Sequence, residues 1–592
     1  RSGSMGARVT GNEKTENLLY KRLLAHIGLI YPTADATDLA NRLLQVFWPD
    51  GTKPLAARTA DPASFSAADS VLITYGNTVV DGQNPPLVLL KDFLQRHIGD
   101  AITSVHILPF FPYTSDDGFA VVDYYKINST LGDWHHIGRI AEDYRLMADL
   151  VMNHVSSSHA WMVQFRQGQT PGSGYIRTAG SHDDLSQVVR PRSAPLLSAV
   201  ETSAGVQQVW CTFSHDQVDV DFCNPDVLVE YVRILRFLID KGVRTVRLDA
   251  VAFIWKQPGT NCIHLPEVHE IVRLMRTLCD HCEHEIILIT ETNVPNQENL
   301  TYFGNRNEAH AIYNFSLPPL LLFALLSRSS DALNRWLMSM PPAQLGCAYL
   351  NFTASHDGIG LRPLEGLLSE VEKLQMIEAI TGFGGLLSMR KAGNGDDHPY
   401  EMNIALFDAM AGTLDGPDGH QVERFVCSQT VMMSLQGIPA FYIHSLLATG
   451  NDTEGVARTK HNRTINRAQV DYGELEAALA DEDDVRHQVF KRLVSLVRLR
   501  AQQPAFHPNA MQSVLQLGES LFGVERISLD QSQTILAIAS LCDTRQVLNT
   551  VSLDLPRGSR WIDLLSSQTW DDAPAEIVLA PYQCLWLSHR QS

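Results

Sequence analysis

Val243-Arg244-Thr245-Val246-Arg247-Leu248-Asp249 is a short, largely apolar run that ends on a carboxylate. Its β-branched residues suit a strand, seven residues is the length of a strand rather than of a helix, and a longer amphipathic stretch follows. The same unit recurs along the chain. Runs at 71–75, 104–108, 146–151, 286–290, 311–313, 348–352 and 438–443 have this character. Eight such runs with helical stretches between them predict an α/β fold, a (β/α)8 TIM barrel. Chemistry in such a barrel sits at the C-terminal ends of the strands. Those ends read Asn153-His154, Asp249, Glu291 and His356-Asp357.

The spacing also shows where the barrel is interrupted. Asp149 and Asp249 are 100 residues apart, whereas Asp249 and Glu291 are 42 apart, so the earlier crossover carries an insertion. The expected division is a barrel in three parts (69–154, 221–357 and 426–504) with insertion domain B at 155–220 and a second insertion, B′, at 358–425. The second excursion includes a loop-like stretch at 392–399. Short alternating segments around 520–524, 534–538 and 584–587 predict a C-terminal β-domain over 505–592. Apolar positions in 12–50 predict two helices within an N-terminal extension over 5–68. Arg1-Ser2-Gly3-Ser4, ahead of Met5, reads as an expression scar.

Composition narrows the function. With 45% hydrophobic and 19% charged residues in 592, the chain is built to fold around a large core, not to stay disordered. A formal net charge of -19 disfavours nucleic acid or an anionic membrane surface as partner. The longest apolar stretch, near 317–326, falls short of the ~20 residues of a membrane span. Nine cysteines, an odd number scattered through presumed core segments such as Cys211, Cys347 and Cys427, suit reduced thiols and a cytoplasmic location. Cys279-Asp280-His281-Cys282-Glu283-His284 contains the one C-x2-C spacing. Zinc needs a second ligand pair, so this stretch is read as a polar helix end before the 286–289 strand. No metal and no cofactor are expected.

Three carboxylates at strand ends are what cleavage of a glycosidic bond needs: one attacks, one donates and then recovers a proton, and one steadies the sugar. The surrounding residues carry a resemblance. The stretches 149–154 (DLVMNH), 246–250 (VRLDA), 289–291 (ITE) and 355–357 (SHD) resemble, in order, four strand-end motifs of the alpha-amylase superfamily, glycoside hydrolase family 13. The resemblance implies Asp249 as nucleophile, Glu291 as general acid/base and Asp357 as transition-state stabiliser. It places Arg247 beside the nucleophile to keep it ionised, and His154 and His356 on glucosyl hydroxyls.

Phe110-Phe111-Pro112-Tyr113-Thr114-Ser115-Asp116-Asp117-Gly118-Phe119 is similar to the sucrose phosphorylase subfamily. By that similarity Asp116 grips outer hydroxyls, Phe119 stacks on the sugar face and Arg467 completes the glucose shell. Phosphorolysis requires an anion site, and Arg190-Pro191-Arg192 with Tyr400 resembles the subfamily's phosphate-binding residues. The forked donors of Arg suit that task. Val189, Asn293, His398 and Glu401 depart from sucrose phosphorylases on the acceptor side. The N-terminal helices, Glu291-Thr292-Asn293-Val294-Pro295 and Ser115-Asp116-Asp117-Gly118-Phe119 resemble glucosylglycerate phosphorylases. The implied reactants are a small glucoside and inorganic phosphate, giving glucose 1-phosphate and glycerate, and a homodimer is the subfamily expectation. Sucrose 6'-phosphate phosphorylase, sucrose phosphorylase and an α-glucosidase stand as alternatives. Arg190, Lys256 and His398 are the candidate cations for an acceptor carboxylate.

Overall fold

The computed structural model describes residues 11–59, 61, 64–392, 395–556 and 558–590. Eight parallel strands close into a barrel: β1 (Val71–Thr74), β2 (Ser104–Ile107), β3 (Arg145–Val151), β4 (Val243–Asp249), β5 (Ile287–Thr290), β6 (Ala311–Tyr313), β7 (Ala348–Asn351) and β8 (Ile438–Tyr442). They neighbour one another in chain order, and β1 pairs on its two sides with β2 and β8, Val71 standing opposite Ser104 and Ala440. Helices cover the outside and side chains fill the inside, so these strands are buried on both faces and read as nearly continuous apolar runs. The run Val71-Leu72-Ile73-Thr74 is buried at every position.

The helix Pro225–Asp240 ahead of β4 starts where the sequence says it should. Asn224 accepts from the Asp226 N–H, and Pro225 occupies a first-turn position where no donor is lost. Two N-terminal helices, Gly11–Ile30 and Ala36–Phe47, lie on the barrel helices Pro266–Asp280 and Pro225–Asp240. The first buries Leu19, Leu23, Ile27 and Ile30, a stripe at helical spacing worth roughly 2 kcal/mol per side chain. His26 fixes its rotation by bonding Glu270 at 2.5 Å and Thr277 at 2.9 Å. The expected scar at 1–4 lies outside the described residues.

A six-stranded antiparallel sheet follows the barrel, its central strands being Leu521–Ile527, Gln533–Ser540 and Cys584–Arg590. It is continuous with the barrel core. Trp586 is fully buried, and its indole N–H donates to Ser434 Oγ at 2.9 Å. Arg526, also buried, donates to the Ser434 and His507 carbonyls at 2.9 Å each.

The crossover from β3 to β4 contains the hairpin Leu197–Thr202/Gly205–Trp210 and the pair His154–Ser156/Gln217–Asp219. The later excursion holds a three-stranded sheet of Ile359–Gly360, Leu386–Lys391 and Asp397–Asn403. The loop expected over 392–399 is therefore shorter. Its last three residues belong to a strand in which His398 stands opposite Arg390, and positions 393 and 394 lie outside the described residues. The boundary expected at 425/426 cuts a helix, Gln421–Ser434, whose interior is buried. The Cys279–Cys282 stretch is the end of helix Pro266–Asp280, where His281 Nδ1 meets the Leu55 carbonyl at 2.7 Å.

Candidate active site

Asp249 and Arg247 share a face of β4 because strand side chains alternate. Arg247 Nη1 donates to Asp249 Oδ1 at 2.5 Å and to Asp149 Oδ1 at 2.6 Å. The other oxygen of Asp149 meets His106 Nε2 at 2.6 Å. A buried polar row thus crosses β2, β3 and β4 and aims Asp249 upward. The strand ends where Ala250 takes φ 51°, and this turn points the Ala250 N–H at Glu291 Oε2, 3.0 Å away. Glu291 Oε1 lies 4.0 Å from Arg247 Nη2. One guanidinium therefore serves three carboxyls unequally, Asp149 and Asp249 by direct bonds and Glu291 at longer range.

Both carboxyls are shifted upward. Burial raises Asp249 well above the ordinary carboxylate range, and the neighbouring Glu291 and Asp149 add to it, whereas Arg247 opposes all three. Burial also raises Glu291, with the charge of Asp357 adding to it and Arg247 opposing. Two interacting carboxyls titrate as a pair, and of the two Arg247 bonds only Asp249 directly.

Asp357 is different. Burial would raise it, but Arg463, His356, Arg247 and Arg467 hold it well below the usual carboxylate range. Arg463 Nη1 donates to Asp357 Oδ1 at 2.6 Å, while its Nε and Nη2 fork onto Glu401 at 2.9 and 2.8 Å. Arg463 was not foreseen, and it accounts for Glu401, a carboxylate only 1% exposed. The signal lay in the sequence: Asn462-Arg463 repeats as Asn466-Arg467 four residues on, across the short helical turn Asn462–Asn466. Gly358 lets Glu401 approach, since a Cβ there would stand 2.2 Å from Glu401 Cγ.

Phe119 stacks on His356 with centroids 4.9 Å apart and planes 5° from parallel. The turn Asp116–Gly118 ahead of it holds Asp116 and Asp117 at φ 52° and 45°, a conformation that Asp tolerates better than most residues. Arg467 pins that turn from Nη1, 2.8 Å from Asp117 Oδ2 and 3.6 Å from Asp116 Oδ1, while its Nε donates to the His356 carbonyl at 2.8 Å. Burial brings His154 down to about 4 and His356 to about 3, so both imidazoles are neutral near pH 7. His154 Nε2 lies 2.9 Å from the Phe119 carbonyl. Asp116 Oδ1, His356 Nδ1 and Arg467 Nη2 are buried without hydrogen-bond partners among the described residues.

One pocket gathers Asp116, Phe119, His154, Asp249, Glu291, His356 and Asp357 with Arg192, Asn293, Tyr400 and Glu401. Arg247 and Arg467 stand behind its wall. Arg192 lies over Tyr400 at 4.9 Å and over Phe213 at 5.2 Å, cation on ring face. The acceptor side departs from the sequence reading in its cations. Arg190 turns its Nη2 to the Ala194 carbonyl in its own loop. Lys256 is buried between Asn153 and Asp219. His398 is exposed and lines an outer groove with Lys373 and Pro399, not the pocket. The pocket instead contains Arg362 and Arg390, which were not foreseen.

The alpha amylase catalytic domain family matches residues 93–343. The chain is 40% identical over 529 residues to the glucosylglycerate phosphorylase of Spirochaeta thermophila, covering 88% of this chain and 90% of that protein. The chain belongs to the alpha-amylase family. A glucosylglycerate phosphorylase of Allomeiothermus silvanus is 36% identical, with 96% and 98% of the two chains covered. Among solved structures, sucrose 6F-phosphate phosphorylase from Thermoanaerobacter thermosaccharolyticum superposes with a TM-score of 0.69 at 25% identity, covering 80% of this chain and 94% of that one. This member of the alpha-amylase family is an enzyme with its barrel-end carboxylates assembled. Among the described residues no helix is long and apolar enough to cross a membrane.

Proposed function

We propose that the enzyme is a retaining glycoside phosphorylase that moves the glucosyl unit of 2-O-α-glucosylglycerate to phosphate. Asp249 attacks the anomeric carbon, and Glu291 gives its proton to the departing glycerate oxygen. The C–O bond breaks as a glycosyl ester to Asp249 forms. Phosphate then attacks the same carbon while Glu291 takes its proton, freeing Asp249 and releasing α-glucose 1-phosphate. Asp357, held ionised, stabilises the positive charge that develops on the sugar. Asp116 and His356 supply the unpartnered atoms for glucose hydroxyls, with Phe119 and His154 shaping that end and Arg467 and Arg247 holding it from behind.

The observation that carries phosphorolysis is Arg192 lying over Tyr400 in the pocket that holds Asp249 and Glu291. A guanidinium with no carboxylate bonded to it, facing a glycosyl-enzyme, suits an incoming phosphate. We assign Arg192 from a domain B over 155–220 and Tyr400 from a B′ region over 358–425 to that task, with Asn293 beside them. The names of the relatives support glycerate as acceptor. The nine free cysteines, with the Cys584 thiol donating to Cys427 Sγ at 3.7 Å rather than forming a disulfide, suit a reducing cytoplasm, and a homodimer is the assembly we propose. Offering α-glucose 1-phosphate with glycerate, glycerol, fructose or fructose 6-phosphate tests the function. The highest kcat/KM is expected for glycerate. Preference for either fructose overturns the acceptor, and glucose release indifferent to phosphate overturns phosphorolysis.

A further inference from the structure

Charge in the pocket is distributed unevenly. Of its arginines, Arg463 is neutralised by Asp357 and Glu401. Arg362 and Arg390 share one carboxylate between them, and neither is hydrogen-bonded to it. The carboxylate beside each is Glu365, at 3.8 Å from Arg362 Nε and 3.8 Å from Arg390 Nη2, beyond hydrogen-bond reach and itself 46% exposed. The Nε of both arginines is buried and has no hydrogen-bond partner among the described residues. A buried unbonded guanidinium donor is costly, and two like charges side by side compound the cost. Burial, with the charge of Arg362 adding to it, lowers the basicity of Arg390.

Their position says which ligand end they meet. Both line the catalytic pocket and also the outer groove that contains Lys373 and His398. Residues shared by the two cavities stand at their junction, and the outer groove includes none of the glucose-holding turn at 116–119. The backbone N–H of Leu361, next to Arg362, donates to the Tyr400 carbonyl at 2.8 Å, which sets Arg362 beside the phosphate-binding tyrosine.

We infer that Arg362 and Arg390 form a two-guanidinium clamp for the carboxylate of the acceptor, making the site selective for an α-hydroxy acid over a neutral polyol. Glycerate carries its carboxylate on the carbon bearing the glucosylated oxygen, so a clamp in the pocket that holds Glu291 sets that oxygen in line for proton transfer. Planar forks match the two carboxylate oxygens with paired charge-assisted bonds. Glycerol, with no charge, would leave both forks unpaired. The inference rests on the acceptor proposed above, deepening it to named residues.

α-Glucosyl fluoride tests it, because this donor loads Asp249 without phosphate. Transfer to glycerate, to glycerol and to phosphate is measured for the wild type, Arg362→Gln, Arg390→Gln and the double variant. The glycerate-to-glycerol ratio of kcat/KM should fall on the order of 100-fold in the double variant, with phosphate transfer falling much less. An unchanged ratio overturns the clamp. Equal losses with glycerate and phosphate assign the pair to phosphate and also overturn it. Should a Gln variant fail to fold, Arg390→Lys keeps the charge but loses the fork, and the ratio must still drop. A wild type that does not favour glycerate over glycerol refutes the proposed function instead, whatever the variants do.

Discussion

The two ends of the pocket handle charge in opposite ways. At the glucose end every charged group has its counter-charge inside the protein: Asp249 and Asp149 share Arg247, and the 116–117 turn holds Arg467. What remains there is unused hydrogen-bonding capacity, at atoms such as Asp116 Oδ1 and His356 Nδ1. At the acceptor end Arg192 has no carboxylate bonded to it, and Arg362 and Arg390 share only the half-exposed Glu365, 3.8 Å from each. The first arrangement suits an uncharged sugar, and the second suits an anion that arrives and leaves. A phosphorylase needs both, because its second substrate is charged and its glucosyl group is not.

The largest break in this comparison is Asp249→Asn. The amide keeps the size of the side chain but cannot form the glycosyl ester, so turnover in either direction should fall on the order of 10⁴-fold or more. Binding of the anionic acceptor, which belongs to the other end, should persist and is measurable by calorimetry with glycerate. Residual turnover within tenfold of the wild type would remove Asp249 from the role of nucleophile.

Arg463→Ala should come next, because this side chain ties the two ends together. It strands Glu401, at 1% exposure, and leaves Asp357 short of its strongest partner. Breaking a buried pair from one side costs about 3–5 kcal/mol, so both Tm and kcat should drop. Arg463→Lys, which keeps charge without the fork onto Glu401, should recover only part of each. Full recovery would show that the bidentate geometry is not needed.

How these groups were legible follows from their distance along the chain. The barrel was readable because each strand is a local apolar run with a polar end, and the carboxylates 249, 291 and 357 sit at those ends. Arg247 was readable from a two-residue offset. Arg463 falls in a turn after β8 with no periodic pattern, and only the repeated Asn-Arg at a spacing of four marks it. Arg362 and Arg390 are farther still from legibility. They belong to a 3-10 turn and a strand 28 residues apart that only the three-stranded sheet brings to one pocket. Conversely, Arg190 and His398 were chosen for residue type and nearness to motifs, and local backbone geometry turns both away. Sequence exposes what a strand end presents; it does not expose what a loop packs against.

The smallest expected effect is on pH dependence, and it separates the two ends cleanly. Glu291 must be protonated to expel glycerate, and burial with the Asp357 charge raises its pKa above the ordinary value near 4.3. The proton is lost as pH rises through that raised value, so kcat/KM for glucosylglycerate falls on the alkaline side. The acid side falls where Asp249 is protonated, and the two limbs together report the coupled pair. The charges that shift Glu291 are those of Arg247, Asp357 and Arg463. Arg362→Gln and Arg390→Gln should therefore scale the profile down without moving its alkaline limb, whereas a change that reaches Asp357 should move it. A limb at or below the ordinary glutamate value would deny Glu291 the acid role. A limb displaced by the clamp variants would mean that the ends share one electrostatic field rather than two.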